Sequence, residues 1–378
     1  MSLTTSFLTG VVAMVIGSEL NGLISLYNKP IETIVLFGSG AALGRIVGCT
    51  FAGKVVKKIG PIKSEILGNI FTGIELLLIV LVPNYYFGMF CAFMGGMGMA
   101  FNDNSTPPII AYVFPDKYSS MLSAGQTMYC FGNFAITLLL SLFLRINVPY
   151  YYSNFVCGAM LIISLGCGLI CFNHKIEYKD EDEKVKPIYS KDPRLTVMII
   201  ALGSFAYCAV CNCVGLYTSS YLESTGLSAA DSAFLLTIYN IGSTVGSILF
   251  IYILRKVSER VVMIMNSVIS LVALSLSLYF NTYISYFIGL FIAGLFLGVM
   301  FAIILALATR ISYKDPTAAS SLVGIAGGLG DIVIPLITSA LLTSHGIAVA
   351  YNTSLFFLIL TLSIACAIYL LTKEKTNA

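Results

Sequence analysis

Four carboxyl groups stand out inside apolar stretches of this chain: Glu19, Glu75, Asp103 and Asp331. Arg45 is a cation in the same situation. A charge at the centre of a bilayer costs ~2.5 kcal/mol or more, so each of these residues needs a reason to be there. One reason is proton movement: a carboxyl sealed from bulk water can take a proton from one side of a membrane and release it to the other. Asp103, Glu19 and Asp331 fall near the middle of their stretches and suit that work. Glu75 lies nearer an end and reads as structural. Arg45 does not give up its proton. It reads as a fork for an anion, as the partner that controls a carboxyl, or as part of a structural ion pair.

The run Asn102-Asp103-Asn104-Ser105-Thr106 crowds polar groups into one apolar stretch. Pro107-Pro108 follows directly, withdraws two backbone donors and is expected to kink a helix. Asn21, Asn102, Gln126, Asn133, Asn212, Tyr239 and Asn240 are uncharged groups able to hydrogen-bond a hydroxylated solute. Buried amides of this kind also glue helices together. The ten cysteines all sit in apolar stretches and read as small hydrophobes, not as a disulfide framework. Cys208, Cys211 and Cys213 have a metal-like spacing, but His174 and His345 fall in loops and no second cysteine pair accompanies them. No metal site is expected. No nucleotide-binding loop, nucleophile elbow or basic nucleic-acid patch occurs, so neither an enzyme nor an ATP-driven pump is expected. The same holds for cofactors and nucleic-acid partners.

These residues must be carried by membrane spans. Of the 378 residues, 58% are hydrophobic and 10% charged, whereas an ordinary soluble protein is ~25% charged. Mean hydropathy is +0.91. Apolar runs mark twelve helical spans, over residues 5–27, 31–53, 61–83, 86–113, 118–144 and 149–172, then 195–223, 229–254, 260–281, 284–309, 316–343 and 347–372. The first run lacks a basic flank and contains Glu19, so it reads as a span and not a cleavable signal. The polar segment 173–194, with Lys179-Asp180-Glu181-Asp182-Glu183-Lys184, cannot cross a bilayer. It reads as a linker between a bundle over 1–172 and a bundle over 195–378. The expected fold is an all-α membrane protein of two pseudo-symmetric six-helix bundles around a central cavity.

Charge placement orients the spans. Of the 21 lysines and arginines, only Lys29 and Arg145 fall in turns on one side, and Arg45 lies within a span. The rest collect on the other side, the linker and chain ends included. The positive-inside rule then puts both termini and the linker in the cytoplasm, in a cell membrane. Tyr85, Tyr86, Tyr150, Tyr151 and Tyr152 mark the outer interface.

The halves also resemble each other. Gly44-Arg45-Ile46-Val47-Gly48 matches Gly242-Ser243-Thr244-Val245-Gly246, and Phe114-Pro115-Asp116-Lys117 parallels Tyr313-Lys314-Asp315-Pro316. Such duplication around a cavity is the mark of a carrier. At these residues the sequence resembles the major facilitator superfamily, over nearly its whole length. That family's loop after span 2 reads Gly-x-x-x-Asp-Arg-x-Gly-Arg-Arg. Here the corresponding segment runs from Gly53 through Lys57, Lys58 and Gly60 to Lys63, with Lys57 in the aspartate's place. Within the superfamily the chain looks most like the fucose permease-like sugar/proton symporters. That likeness rests on Ser123-Ala124-Gly125-Gln126-Thr127-Met128-Tyr129-Cys130-Phe131-Gly132, on Gly226-Leu227-Ser228, and on Ala326-Gly327-Gly328-Leu329-Gly330 with Pro335-Leu336.

The resemblance implies alternating-access uptake of a small polar solute, a monosaccharide first of all, with protons. It places Asp103 where the group has an essential span 4 glutamate, and Glu19 where related permeases have an acid. It departs in having no tryptophan and in carrying Cys211 where such relatives have a span 7 glutamate. In the family the loop aspartate joins a cytoplasmic gate. Lys57 is therefore expected to find a relocated partner in Asp116 or the acidic run 180–183. The expected partners are the solute, protons and the lipid bilayer, with one chain as the working unit. A proton-driven exporter of small organic molecules and a non-transporting sensor of the same fold remain the rival readings.

Overall fold

The computed structural model describes residues 1–114, 118–172, 188–254, 256–312 and 316–373, and each of the twelve apolar runs is helical there. The first is bent: α1 (Ser2–Ser18) and α2 (Leu20–Tyr27) meet at Glu19 with a turn of 63°. Then come α3 (Ile31–Ile34) and α4 (Leu36–Ile59), which share the second run, α5 (Pro61–Leu78), α6 (Tyr85–Val113), α7 (Tyr118–Arg145) and α8 (Tyr152–Ile170). After the two-residue strand β1 (Tyr189–Ser190) follow α9 (Pro193–Ser224), α10 (Ala229–Ile253) and α11 (Glu259–Phe280). The tenth run holds α12 (Tyr283–Leu297) and α13 (Met300–Ile311). The chain continues with α14 (Pro316–His345), α15 (Ile347–Leu371) and β2 (Thr372–Lys373). Asp116, Lys117, His174, Arg255, Lys314, Lys375 and the acidic run 180–183 lie outside the described residues.

Among the described residues nine helical stretches are long and apolar enough to cross a membrane, ten if the bent α1–α2 counts as one. α5 and α6 are less apolar, because α5 carries Lys63, Glu65 and Glu75 and α6 carries the polar run around Asp103. Ile162, Ile170 and Leu370 stand almost wholly exposed on the outer surface, where hydrocarbon would cover them.

Helix ends follow local chemistry. Lys57 and Lys58 occupy the last turn of α4, where cations offset the negative end of the helix dipole. Gly60 then takes φ +89°, a region that disfavours any residue with a Cβ. Pro61 opens α5 at a position that needs no backbone donor.

The matched pentapeptides prove to be one helix crossing used twice. Gly44 on α4 lies against the Phe93 carbonyl of α6, and Gly242 on α10 lies against the Phe291 carbonyl of α12. A methyl group at either glycine would overlap that carbonyl, so the helices close only on glycine. Gly242→Ala should destabilise the protein by about 1–3 kcal/mol through overpacking. A thermal midpoint in detergent equal to that of the wild type would reject this assignment.

By contacts the chain forms two units. The first comprises Met1–Glu181, Gly215–Thr237 and Pro335–Ile347; the second comprises Asp182–Val214, Ile238–Ile334 and Ala348–Ala378. The first unit therefore takes in the end of α9, the start of α10 and the end of α14 together with α1–α8. In the second, β1 and β2 pair antiparallel, Tyr189 with Lys373 and Ser190 with Thr372. Arg260 donates to the Thr372 carbonyl at 2.7 Å, the Ile188 amide donates to the Arg310 carbonyl at 3.0 Å, and Arg310 is ion-paired with Glu259. Arg260 thus holds β2, and Arg310 holds the residue before β1.

Candidate functional site

Arg45 sits one residue past Gly44, at the crossing of α4 with α6. Its Nη2 donates to Asp103 Oδ2 at 2.9 Å, and the two side chains are 41% and 44% exposed. The pair is therefore only partly covered by protein. α6 continues as a single helix past Pro107 and Pro108. The two prolines leave the carbonyls of Asp103 and Asn104 without their helical donors, which adds polarity beside the ion pair. Asn104 donates to the Ala100 carbonyl at 2.8 Å.

Asn102 lies about 100° around the helix from Asp103 and faces the opposite environment. It is 2% exposed, and its amide reaches Thr9, Asn69 and Thr72 at 3.3 to 3.4 Å. Asn69 in turn donates to Thr5 and Ser164, both at 2.9 Å. The sequence suggested a solute contact for Asn102, but its hydrogen bonds serve helix packing.

Glu19 occupies the break between α1 and α2 and is 2% exposed. From the first turn of α8, Ser153 donates to Oε1 at 2.8 Å and Asn154 donates to Oε2 at 3.0 Å. Nearby, Ser220 donates to Asn21 Oδ1 at 2.8 Å, and the Asn21 side chain hydrogen-bonds Glu223. Glu19, Asn21 and Glu223 line one cavity of about 170 Å³. The sequence reading passed over Glu223 because it ends its span. Its signal was position: it follows Ser219 by four residues and so shares that residue's helix face. Glu65 was also passed over; it is buried in α5 and accepts a hydrogen bond from Ser2 at 3.2 Å. Glu75 is fully buried with neither oxygen hydrogen-bonded among the described residues.

In the second unit, Asn212 donates to Asp331 Oδ1 at 3.0 Å. The neighbouring Cys211 is hydrogen-bonded with Tyr207 and Tyr239. Asp331, Asn212 and Tyr239, each singled out from the sequence, thus gather around Cys211. Asn240, next to Tyr239, is 2% exposed. On α7, Gln126 is exposed and Asn133 partly buried, two turns apart on one face. Among the described residues no three His, Cys, Asp or Glu side chains are grouped to hold a metal ion.

At the end of the first unit that carries Arg145, the two sequence halves are latched together. Arg145 Nη2 donates to Asp231 Oδ1 at 2.8 Å, and its guanidinium lies 5.4 Å from the Phe234 ring. Ser228 donates to Asp231 Oδ2 at 2.8 Å. Ser141 donates to the Ala230 carbonyl at 2.9 Å, and Ser339 donates to the Glu32 carbonyl at 2.7 Å. At the other end of α4, Lys57 and Lys58 are exposed between Gly53 and Gly60. The acids expected to answer Lys57 lie outside the described residues.

The family model described as Major Facilitator Superfamily matches residues 1–207 and again 200–378. The "Uncharacterized MFS-type transporter YfkL" of Bacillus subtilis strain 168 is 21% identical over 379 residues, spanning 98% of this chain and 96% of that protein. The "Inner membrane transport protein YdiN" of Escherichia coli strain K12 is 21% identical over 343 residues, spanning 89% and 81%. Among solved structures, a D-xylose-proton symporter superposes with a TM-score of 0.78 at 13% identity, covering 100% of this chain and 98% of that one. The xylose transporter XylE from E. coli, in a partially occluded inward-open conformation, gives 0.77 at 12% identity, covering 100% and 97%.

Proposed function

Since the chain belongs to the major facilitator superfamily, and so is a multi-pass membrane transporter, we propose that it imports a small polar solute, best a monosaccharide, with protons by alternating access. The observation that carries this reading is the Arg45–Asp103 ion pair between two helices within the span-forming part of the chain. Ionised Asp103 holds the guanidinium. A proton arriving on Asp103 neutralises it and frees Arg45 to hydrogen-bond a hydroxylated solute; loss of the proton restores the pair and releases the solute. Glu19 and Asp331 are the further proton-coupling candidates. Asn21, Gln126, Asn133, Asn212, Tyr239 and Asn240 offer hydroxyl-binding groups. The choice of a sugar draws on the fucose permease-like motifs and on the xylose-transporting neighbours of the same fold. The moving bodies are the halves 1–172 and 195–378, joined by 173–194, in the plasma membrane with both termini cytoplasmic, and the working unit is the monomer.

The test is uptake by the purified protein in proteoliposomes, across a panel of monosaccharides with an imposed pH gradient. Accumulation should follow the inward proton gradient and reverse with it. Solute moving opposite to the protons would make the protein an exporter and overturn import.

The loop carries a separate expectation. If Lys57 is bridged to an acid across the cytoplasmic face, Lys57→Asp should change thiol accessibility of the cytoplasmic vestibule severalfold, since exposed pairs contribute ~0–1 kcal/mol. Should neither Lys57→Asp nor Lys57→Ala alter accessibility or transport rate, the loop is a topology signal alone.

A further inference from the structure

We propose that Ser153 and Asn154, in the first turn of α8, are positioning residues that seat a transferable proton on Glu19. The hydrogen count at Ser153 carries the inference. Its Oγ lies 2.8 Å from Glu19 Oε1 and also within hydrogen-bond distance of the Tyr150 carbonyl. A hydroxyl has one hydrogen to donate, and a backbone carbonyl has none. Both contacts are therefore hydrogen bonds at the same time only when Glu19 carries a proton. The carboxyl then donates to Ser153 Oγ, and the hydroxyl donates to the Tyr150 carbonyl. When the carboxyl O–H breaks and water takes the proton, the hydroxyl hydrogen turns about Cβ–Oγ to Oε1. The Tyr150 carbonyl still accepts the Ser153 amide at 3.2 Å. Asn154 Nδ2, 3.0 Å from Oε2, donates in either case. The seat thus satisfies both the acid and the carboxylate with the same heavy atoms in place.

Asn154 supplies a second observation. It is fully buried, and its Oδ1 has no hydrogen-bond partner among the described residues. A residue serving packing alone would avoid stranding a polar atom there. The amide it gives to Glu19 explains its presence. The surroundings leave the carboxyl to this seat, since among the described residues no ion pair reaches Glu19. The titratable groups that interact with it are Tyr150 and Cys157, and Glu223 of α9 borders the same cavity. None of these is a cation. Asp103 answers to a guanidinium, whereas Glu19 answers to hydrogen bonds alone.

The inference rests on the reading of Glu19 as a proton-coupling residue and deepens it. Purified full-length protein in detergent is followed by infrared difference spectroscopy between acid and alkaline pH, where a protonated carboxyl shows a C=O band that its carboxylate lacks. Glu19→Gln should remove one such band, which assigns it. Asn154→Ala withdraws the donor from Oε2 and should move that band to higher frequency, because a hydrogen bond weakens the C=O stretch. Ser153→Ala should displace it as well, and Ser153→Thr, which keeps the hydroxyl, should return it to the wild-type position. If Glu19→Gln removes no band, if either alanine variant leaves the band unmoved, or if Ser153→Thr shifts it as far as Ser153→Ala, the seat is refuted. The measurement contains neither a solute nor a gradient, so its failure leaves uptake through Asp103 standing. A seat that passes, in a protein that does not accumulate solute with protons, overturns the transport reading alone.

Discussion

Asp103→Asn is expected to abolish uphill, pH-driven accumulation while leaving solute exchange at least partly intact. Asparagine preserves the shape of the side chain and its acceptor oxygen, so Arg45 keeps a neutral hydrogen bond in place of a charge-assisted one. That exchange gives up about 1 kcal/mol of a bond worth ~1.5–3 kcal/mol, too little to unfold α4 from α6, whose crossing rests on glycine packing. The lost function is different in kind. An amide cannot alternate between charged and neutral, so the Arg45 fork is no longer switched by protons. A gradient of one pH unit stores about 1.4 kcal/mol per proton, enough for about tenfold accumulation in the wild type. The variant should equilibrate its solute to about equal concentrations, a collapse of the whole gradient. Counterflow in proteoliposomes reads the exchange that remains. Concentrative uptake at the wild-type level would remove Asp103 from the coupling role and promote Glu19.

Much of this arrangement was legible in the sequence because a bilayer imposes harsh rules. Length and apolarity alone mark the helices, and the twelve runs are helical where hydropathy puts them. The pentapeptides at Gly44 and Gly242 were legible as a repeat because backbone contact tolerates only glycine, and they mark corresponding crossings. Intramembrane charge was legible for the same reason, and it singles out Asp103 and Arg45, which pair at 2.9 Å. Other features were not. Neither pattern nor composition tells which way a polar side chain turns, so Asn102 and Asp103 looked alike while one packs the bundle and the other meets a cation. A hydropathy window cannot place a 63° bend, so the position of Glu19 at a helix break was invisible. Glu223 was lost at a span end, where charge is cheap and attracts no notice. The groups that close a cavity come from five separate stretches of chain, and that convergence is set by packing.

The latch at the Arg145 end should respond to charge reversal, and the response should be reversible in a way that packing defects are not. Arg145 and Asp231 are 47% and 39% exposed, so their attraction is modest, ~0.2–1 kcal/mol in such settings. Yet they lie on α7 and α10, from different sequence halves, and hydrogen bonds of Ser141, Ser220 and Ser339 join the same end of the unit. A conformational equilibrium near balance is shifted by energies of that size. Arg145→Glu replaces attraction with repulsion against Asp231, which roughly doubles the effect, to ~2 kcal/mol at most, and should move the population by up to about thirtyfold. Asp231→Arg should act in the same direction. The two reversals together restore the pair with its sign exchanged, and should return the population close to that of the wild type. A cysteine at Ala233, which is 2% exposed and lines the cavity beside the latch, reports the opening once the exposed Cys49, Cys171 and Cys366 are replaced. Labelling of this cysteine should rise in each single reversal and fall back in the double. If both single variants label at the wild-type rate, the pair is incidental. If the double variant labels as fast as the singles, the opening came from disturbed packing and the electrostatic latch is refuted.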